Sequence, residues 1–214
     1  MRAGRSGALV LASMAAFIAA TGLSAHRRDE YLQAARLSVE PSRVAFELDL
    51  TPGIDIADSI IATIDSDGDA SLSRDEQRAY AGHVLEALEL TLDGAPLEMR
   101  LTSCRFPELS AFYQGEGTIR LEIDAAHPGL SPGAHRLWFR NGHRSGQSAY
   151  LANALVPKSA RVSVTGQRRD SLQSELTIDY QTGGTSAGSP AGWLLVGVPF
   201  AAVLLLRFTR VSRR

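Results

Sequence analysis

Residues 65–76, DSDGDASLSRDE, place oxygen-bearing side chains at a spacing suited to a hard cation. Ca²⁺ takes about six to eight oxygen ligands, and a loop of this length can supply them from its positions 1, 3, 5, 7, 9 and 12. In this chain those positions hold Asp65, Asp67, Asp69, Ser71, Ser73 and Glu76. The four acidic residues would bind through carboxylates, Ser71 through its backbone carbonyl and Ser73 through a water. The segment therefore predicts a calcium site made of these six residues.

The spacing resembles the calcium-binding loop of the EF-hand family, in which two helices flank the loop. Leu72 stands at position 8, where the family has an apolar residue. The departure is at position 6, where the family has a glycine with positive φ and this chain has Ala70. An L-residue in that conformation costs about 1–2 kcal/mol. The resemblance therefore implies a calcium affinity roughly tenfold weaker, and not the loss of the site.

The alternative is an acidic turn without a metal. In that interpretation Ser73 and Glu76 form only a capping box, S-x-x-E, at the start of the next helix. The alternative does not account for three aspartates at alternate positions, because close like charges repel unless a cation joins them. We therefore favour calcium binding.

Apolar residues on both sides of the loop predict the two helices. Upstream, IDIADSIIATI predicts a short helix with Asp55 as its cap and an apolar side at residues 60, 61 and 64. Downstream, a helix from about 74 to 89 is predicted by apolar residues at helical spacing, which are Tyr80, Ala81, Val84, Leu85 and Leu88. EF-hands usually occur in pairs, and no second loop of this kind is present in the sequence. We expect the two helices to pack on another domain or on a second copy.

Outside the loop, apolar residues alternate with polar ones, which is typical of strands. The alternating segments are VAFELDL, LELTL, LEMRL, TIRLEI, HRLWF, RVSV and ELTIDY. Turn residues separate them, and Asp93–Gly94 is the strongest hairpin signal. The pattern predicts a mainly β fold with an α insertion, an Ig-like β-sandwich that carries the EF-hand between its second and third strands.

The amino-terminal end has the pattern of a secretory signal peptide. Arg2 and Arg5 precede an apolar run, which small residues follow, so residues 1–25 are predicted to be removed after Ser24 or Ala25. A retained signal anchor is the alternative, although the run is short for a membrane span. Residues 26–180 would then form an extracytoplasmic domain.

The carboxyl-terminal end has the pattern of a membrane anchor. Residues 181–190 predict a flexible Gly/Ser-rich linker, residues 191–207 a transmembrane helix, and residues 208–214 a basic cytoplasmic tail. A buried core helix is the alternative for the apolar run. Gly183 and Gly184 ahead of that run also resemble a bacterial glycine–glycine sorting signal, which would replace the helix by a lipid. The sequence thus predicts a single-pass protein of the cell membrane.

Composition narrows the class of function. The net charge is −1, so no basic footprint favours a nucleic acid partner. Cys104 is the only cysteine, which rules out an internal disulfide. The sequence contains no G-x-S-x-G, H-E-x-x-H, P-loop or C-x-x-C motif, so an enzyme is not expected. We expect a non-enzymatic calcium-binding module with an unidentified protein partner, or a calcium-stabilised structural domain that senses nothing.

The order of the segments resembles two groups of bacterial proteins. The signal peptide, AHRRDEYLQA, the hairpin, the EF-hand-like loop and the β-rich remainder are similar to uncharacterised membrane-anchored EF-hand proteins. They also resemble the extracytoplasmic amino-terminal part of hydrogenase/urease accessory membrane proteins linked to nickel. The resemblance covers residues 25–180 and does not include the permease portion of those proteins, so a transport role is not implied.

The alternative function depends on a predicted metal site at His26. Cleavage after Ala25 would make His26 the amino terminus, where the α-amine and the imidazole could chelate Cu²⁺ or Ni²⁺. His127, His135 and His143 could in principle add a ligand. The alternative is thus a metal-handling (Ni/Cu) or assembly accessory protein.

Overall fold

Two five-stranded sheets dominate residues 28–183, the part of the chain that the computed structural model describes. The strands are β1 (Tyr31–Glu40), β2 (Arg43–Pro52), β3 (Leu88–Leu92), β4 (Ala95–Pro96), β5 (Met99–Arg105), β6 (Ile119–Ala126), β7 (Gly133–Asn141), β8 (Ser148–Ala154), β9 (Val162–Arg169) and β10 (Glu175–Thr182). A 3₁₀ turn (Ile54–Ile56) leads into α1 (Ala57–Ile64), and α2 (Arg74–Glu86) and α3 (Leu109–Tyr113) follow. The prediction of a mainly β fold with an α insertion is confirmed.

Each sheet contains pairs of hydrogen-bonded strands that follow one another in the sequence. The first sheet has the order β5-β6-β2-β1-β8 and the second the order β4-β3-β7-β10-β9. Among the described strands, every pairing is antiparallel except that of β1 with β8, which is parallel. β5 and β8 therefore form the edges of the first sheet, and β4 and β9 those of the second.

Alternate residues of the strands form one core between the two sheets. Every second residue of β2 from Val44 to Pro52 is buried, and β6 and β10 show the same alternation. Phe46 of the first sheet and Phe139 of the second meet edge to face, with ring centroids 5.6 Å apart. Burying one such side chain stabilises the fold by about 1.5–3 kcal/mol. The two sheets are thus held face to face by hydrophobic packing, as in a sandwich.

The helices are inserted between β2 and β3, and they pack on the core of the same chain. Ile60 and Ile64 of α1 and Tyr80 and Val84 of α2 are buried in the cluster that the strands form. The two helices thus bury their apolar residues against the strands of their own domain. Paired EF-hands bury such residues against each other. Leu85, which was predicted to lie on the buried face of the second helix, is only half-buried.

The helix boundaries differ from the predicted ones in two places. Asp55 does not cap α1, since it lies in the 3₁₀ turn and forms a 3.2 Å ion pair with Arg28. α2 ends at Glu86, and Leu88 is the first residue of β3 and not part of the helix. Leu88 is buried in either conformation, so its apolar character does not distinguish helix from strand.

Several predictions concern residues outside the described range. These are the signal peptide (1–25), His26, the linker beyond residue 183, the transmembrane helix (191–207) and the basic tail (208–214), which all stay predictions. β10 continues to Thr182, so the first two residues of the 181–190 range belong to the sheet. Within residues 28–183, no helix is both long enough and apolar enough to span a membrane.

Candidate metal centre

The loop between α1 and α2 brings three carboxylates together. One oxygen each of Asp65, Asp67 and Glu76 lies within 4.8 Å of the others, and in the described part of the chain no further group of acidic, histidine or cysteine side chains meets this criterion. Asp65 directly follows α1, and Glu76 lies in the first turn of α2. Asp67 is exposed, Asp65 is half-buried and Glu76 is 8% exposed. The cluster is therefore open to solvent on the side of Asp67.

Asp65 organises the first half of the loop. Its Oδ1 accepts hydrogen bonds from the backbone N–H of Gly68 (2.8 Å) and Asp69 (3.2 Å), and its Oδ2 accepts one from that of Ala70 (3.0 Å). Gly68 has φ +73° and Ala70 has φ +60°, so the chain turns through the left-handed region twice. Ala70 thus adopts the positive φ that position 6 requires, at a cost of about 1–2 kcal/mol.

Glu76 organises the second half of the loop. Its Oε2 accepts hydrogen bonds from the Ser73 backbone N–H (2.9 Å) and hydroxyl (2.8 Å), and the Ser73 hydroxyl in turn accepts one from the Glu76 N–H (3.3 Å). This is the predicted capping box. Hydrogen bonds from Ser73 and Ser66 lower the pKa of Glu76 to about 2. The carboxylate is therefore ionised at neutral pH, as a cation ligand must be.

The donor set fits a hard cation. Two oxygens that share one Ca²⁺ at about 2.4 Å each can lie no more than about 4.8 Å apart, and the three carboxylates satisfy that limit. Each Glu76 oxygen already accepts two hydrogen bonds, one from a serine N–H and one from a hydroxyl. Binding through both oxygens would therefore require the hydroxyls of Ser66 and Ser73 to rotate away, while the two backbone N–H groups stay in place.

The other three predicted ligands lie in the loop but outside this cluster. Asp69 accepts a 2.7 Å hydrogen bond from the N–H of Ser71 through Oδ1, and its carboxylate is not one of the three that converge. Ser71 is exposed. The hydroxyl of Ser73 is directed to Glu76. The predicted position-8 residue, Leu72, packs on the core and attaches the loop to the domain.

Sequence reasoning did not identify the role of Ser66. Its N–H and hydroxyl both donate to Oε1 of Glu76, at 2.6 Å and 3.0 Å. These bonds connect the first residues of the loop to its last one, and they help to bring Asp65 and Glu76 together. Ser66 occupies position 2 of the loop, for which the ligand spacing gives no side-chain preference, so no sequence signal pointed to it.

A buried polar network lies one helical turn beyond Glu76. The hydroxyl of Tyr80 is 2.8 Å from that of Tyr31 in β1 and 3.3 Å from Nε2 of His143, in the segment after β7. Burial lowers the pKa of His143 to about 4. Gln33 extends the network by donating to the carbonyl oxygen of His143 (2.9 Å). The helical spacing predicted only an apolar contact for Tyr80, but its hydroxyl connects α2 to β1 and to the segment after β7.

The histidines considered for a second metal site have separate partners. Nδ1 of His127 is 2.8 Å from the carbonyl oxygen of Pro128, and Nδ1 of His135 is 2.7 Å from Oδ2 of Asp93. His143 belongs to the network with Tyr80. Within residues 28–183 these three histidines do not form a metal-binding cluster, and the His26 site stays a prediction.

Comparison of the chain with protein-family models, with curated proteins and with solved structures finds no significant match. The functional assignment therefore rests on the geometry of the loop and on the sequence patterns around it.

Proposed function

We propose that this protein is a membrane-anchored, extracytoplasmic calcium-binding protein. It acts as a non-enzymatic binding module with a single EF-hand-type site. The observation that carries the proposal is the convergence of Asp65, Asp67 and Glu76 within 4.8 Å on a loop held between two packed helices. The apolar run and the arginines of residues 191–214 support the anchor, and residues 1–25 support export.

The backbone of the loop supports an EF-hand-type site in particular. A loop of this family needs a sharp turn at position 6 and a helix that starts before position 12. Ala70 has positive φ, and α2 begins at Arg74, two residues before Glu76. An acidic turn that merely capped α2 would need only Ser73 and Glu76. It would not require Asp65 and Asp67 to converge on the same point.

We also propose that the sandwich is Ig-like. Immunoglobulin domains place strands A, B, E and D in one sheet and C, F and G in the other, with C′ beside C in the variable type. The order β5-β6-β2-β1 corresponds to D-E-B-A, and the order β4-β3-β7-β10 corresponds to C′-C-F-G. β8 and β9 are additions to that pattern. In this scheme the calcium loop lies in the connection between strands B and C.

Thermal unfolding of the purified full chain tests the calcium site. A ligand that binds only the folded state at a Kd of about 0.1 mM stabilises it by about 1.4 kcal/mol at about 1 mM free Ca²⁺. We expect the melting temperature to be a few degrees higher with Ca²⁺ than with a chelator. Asp67→Asn should abolish this shift, since Asp67 accepts only one hydrogen bond within the described residues and its loss leaves the loop largely intact.

Asp75→Asn is the matched control. It makes the same change of charge close by, at a side chain that is 96% exposed and outside the cluster, and it should keep the full shift. A wild-type melt unaffected by millimolar Ca²⁺ would leave the loop as a capped acidic turn and refute the proposal. A calcium shift without any calcium-dependent partner would favour the calcium-stabilised structural domain.

A further inference from the structure

A basic cleft lies between the first two turns of α2 and the edge strand β5. Its volume is about 700 Å³, and the residues that line it include Arg74, Arg78 and Arg105 but no acidic side chain. Arg78 and Arg105 form exposed ion pairs with Asp75 (3.3 Å) and Glu122 (3.1 Å), whereas Arg74 makes no ion pair with any residue in the described range. Surface ion pairs of this kind contribute only about 0–1 kcal/mol, so the arginines remain available to a ligand.

The floor of the cleft is a strand with a free edge. β5 pairs with β6 on one side only, and among residues 28–183 no other strand pairs with it. An unpaired strand edge exposes a row of backbone N–H and C=O groups to which another chain can add. Cys104 and Phe106 contribute apolar surface to the same cleft. The cleft thus combines unpaired backbone groups of β5, which has a bulge between Leu101 and Ser103, with apolar contacts and positive charge.

We propose that this cleft binds an extended acidic segment of a partner protein, which adds to β5 as a further strand. Strand addition supplies affinity through the backbone, and pockets for alternate side chains supply specificity. Arginine forms planar, two-pronged hydrogen bonds with carboxylates, so the arginines favour Asp and Glu in the added strand. This inference rests on the proposed function as a binding module, because it names the partner class of that module.

The charge of the cleft excludes the undescribed ends of this chain as its occupant. Residues 1–27 and 184–214 contain arginines and no aspartate or glutamate. They would be repelled by the arginines of the cleft. Neither of these two segments is therefore the acidic strand that the cleft would bind.

The calcium loop and the cleft share the start of α2. Arg74 is both the first residue of α2 and a lining residue of the cleft, and it lies two residues before Glu76. The aspartates of the loop carry the same charge as an acidic ligand, and repulsion between exposed charges acts over a Debye length of about 8 Å. A bound Ca²⁺ would cancel part of that negative charge. We therefore expect tighter binding of the acidic segment with Ca²⁺ than with a chelator.

Cys104, the only cysteine of the sequence, lines the cleft and can report whether a peptide is bound there. The probe is a capped octapeptide of alternating Glu and Val, and the readout is the rate at which a neutral maleimide labels Cys104 in the full chain. A bound peptide covers the cleft and should slow labelling at least fivefold at saturation. A peptide of alternating Lys and Val should have no effect. Hydrogen exchange should also slow at the backbone amides of β5 when the acidic peptide binds.

The double variant Arg74→Gln/Arg105→Gln should weaken peptide binding about tenfold, since each exposed contact contributes up to about 1 kcal/mol. The matched control is Arg161→Gln/Arg140→Gln, with Arg161 in the turn before β9 and Arg140 in β7. It removes one arginine without an ion pair in the described range and one whose exposed ion pair, to Glu89 at 3.0 Å, resembles that of Arg105. The control should bind as the wild type does.

Three results would overturn the inference. They are equal binding by both double variants, peptide binding without protection of β5, and labelling slowed by anionic phospholipid vesicles but not by the peptide. Failure of the calcium site is separable, because Asp67→Asn should remove the effect of Ca²⁺ on peptide binding and leave the effect of the arginines. Peptide binding that is insensitive to Ca²⁺ but lost in Arg74→Gln/Arg105→Gln would overturn the calcium dependence alone.

Discussion

Ala70 is the residue at which the loop departs from the EF-hand pattern, and its φ of +60° shows where the cost of that departure falls. The left-handed conformation is part of the folded structure. The strain of about 1–2 kcal/mol therefore lowers the stability of the domain itself and is not deferred until a cation binds. The sequence alone suggested a penalty on calcium affinity.

Ala70→Gly should raise the melting temperature to a similar extent with Ca²⁺ and with a chelator. Relief of the strain is offset by the greater freedom of glycine in the unfolded chain, which costs about 0.4–1 kcal/mol. The expected net gain is up to about 1 kcal/mol, or a few degrees. Thermal unfolding of the full chain measures it.

Gly68→Ala is the reciprocal control in the same loop. A Cβ at Gly68 would meet no atom within 4 Å, so only its φ of +73° opposes the substitution. This variant should be destabilised by up to about 1 kcal/mol, because the strain of about 1–2 kcal/mol is partly offset by the lower freedom of alanine in the unfolded chain. If Ala70→Gly changed the calcium-bound melt alone, the strain would belong to the bound state instead.

At the scale of single elements, the sequence predicted the strands whose buried residues are apolar. The alternation of VAFELDL and TIRLEI is strict, and both segments lie in central strands of the first sheet. β1 and β8 were not recognised, because their buried positions include Gln33, Ser38 and small alanines. Gln33 is buried because its amide bonds with groups from distant parts of the chain. No local pattern reveals such partners.

In the loop, too, the features that could be predicted depend on neighbouring residues, and those that could not depend on distant parts of the chain. Ligand spacing and the capping box are local. The capping box predicted where α2 begins, whereas only Asp65, Asp67 and Glu76 of the six predicted ligands converge. The order of burial in the loop depends on packing against the core, which makes Glu76 buried and leaves Asp67 exposed. The polar partners of Tyr80 come from β1 and from the segment after β7, so the hydroxyl's role could not be predicted.

The link between α2 and β1 can be measured by a double-mutant cycle on Tyr31 and Tyr80. Each single Tyr→Phe change leaves the other buried hydroxyl short of a partner and should cost about 1–3 kcal/mol. The double variant should cost less than the sum, because it removes both groups of the 2.8 Å hydrogen bond. Urea unfolding gives the three free energies. Strict additivity would mean that the two hydroxyls do not interact.

At the scale of the whole molecule, His143 couples stability to pH. Its pKa is about 4 in the folded state because it is buried, and about 6.5 when unfolded. Between those values the unfolded chain binds a proton that the folded chain does not. The stabilising contribution of neutral His143 is therefore complete above about pH 6.5 and is lost as the pH falls toward 4.

His143→Phe should flatten the fall in stability between about pH 6.5 and 4. The ring can still pack edge to face against Tyr31 and Tyr80, so the slope against pH is the informative quantity and not the absolute stability. His83→Gln is the comparison. The His83 side chain is 71% exposed, and its charge contributes less to the lowered pKa of His143 than burial and Arg144 do, so its loss should change the slope much less than His143→Phe does. An unaltered slope in His143→Phe would show that His143 takes up its proton over the same pH range in the folded and the unfolded chain.

The loop and the last described residue lie at opposite ends of β1. Tyr31, where β1 starts, contacts Tyr80 of α2, whereas Pro41, just beyond its end, lines one small cavity with Thr182 and Gly183. A strand of this length spans about 30 Å. Gly183, the last described residue, therefore lies at the end of the domain remote from the loop between α1 and α2.

The parallel pairing of β1 with β8 determines the order in which this domain can be completed. Tyr31 lies beside Ser148 in that pairing, so β1 keeps one unpaired edge until β8, the eighth of the ten described strands, has been synthesised. Pairings between such distant segments slow folding, and an open edge invites association with other chains in the meantime. Leu32, which is 48% exposed even in the finished sheet, increases that hazard. The incomplete chain therefore exposes this edge, and Leu32 beside it, until β8 emerges.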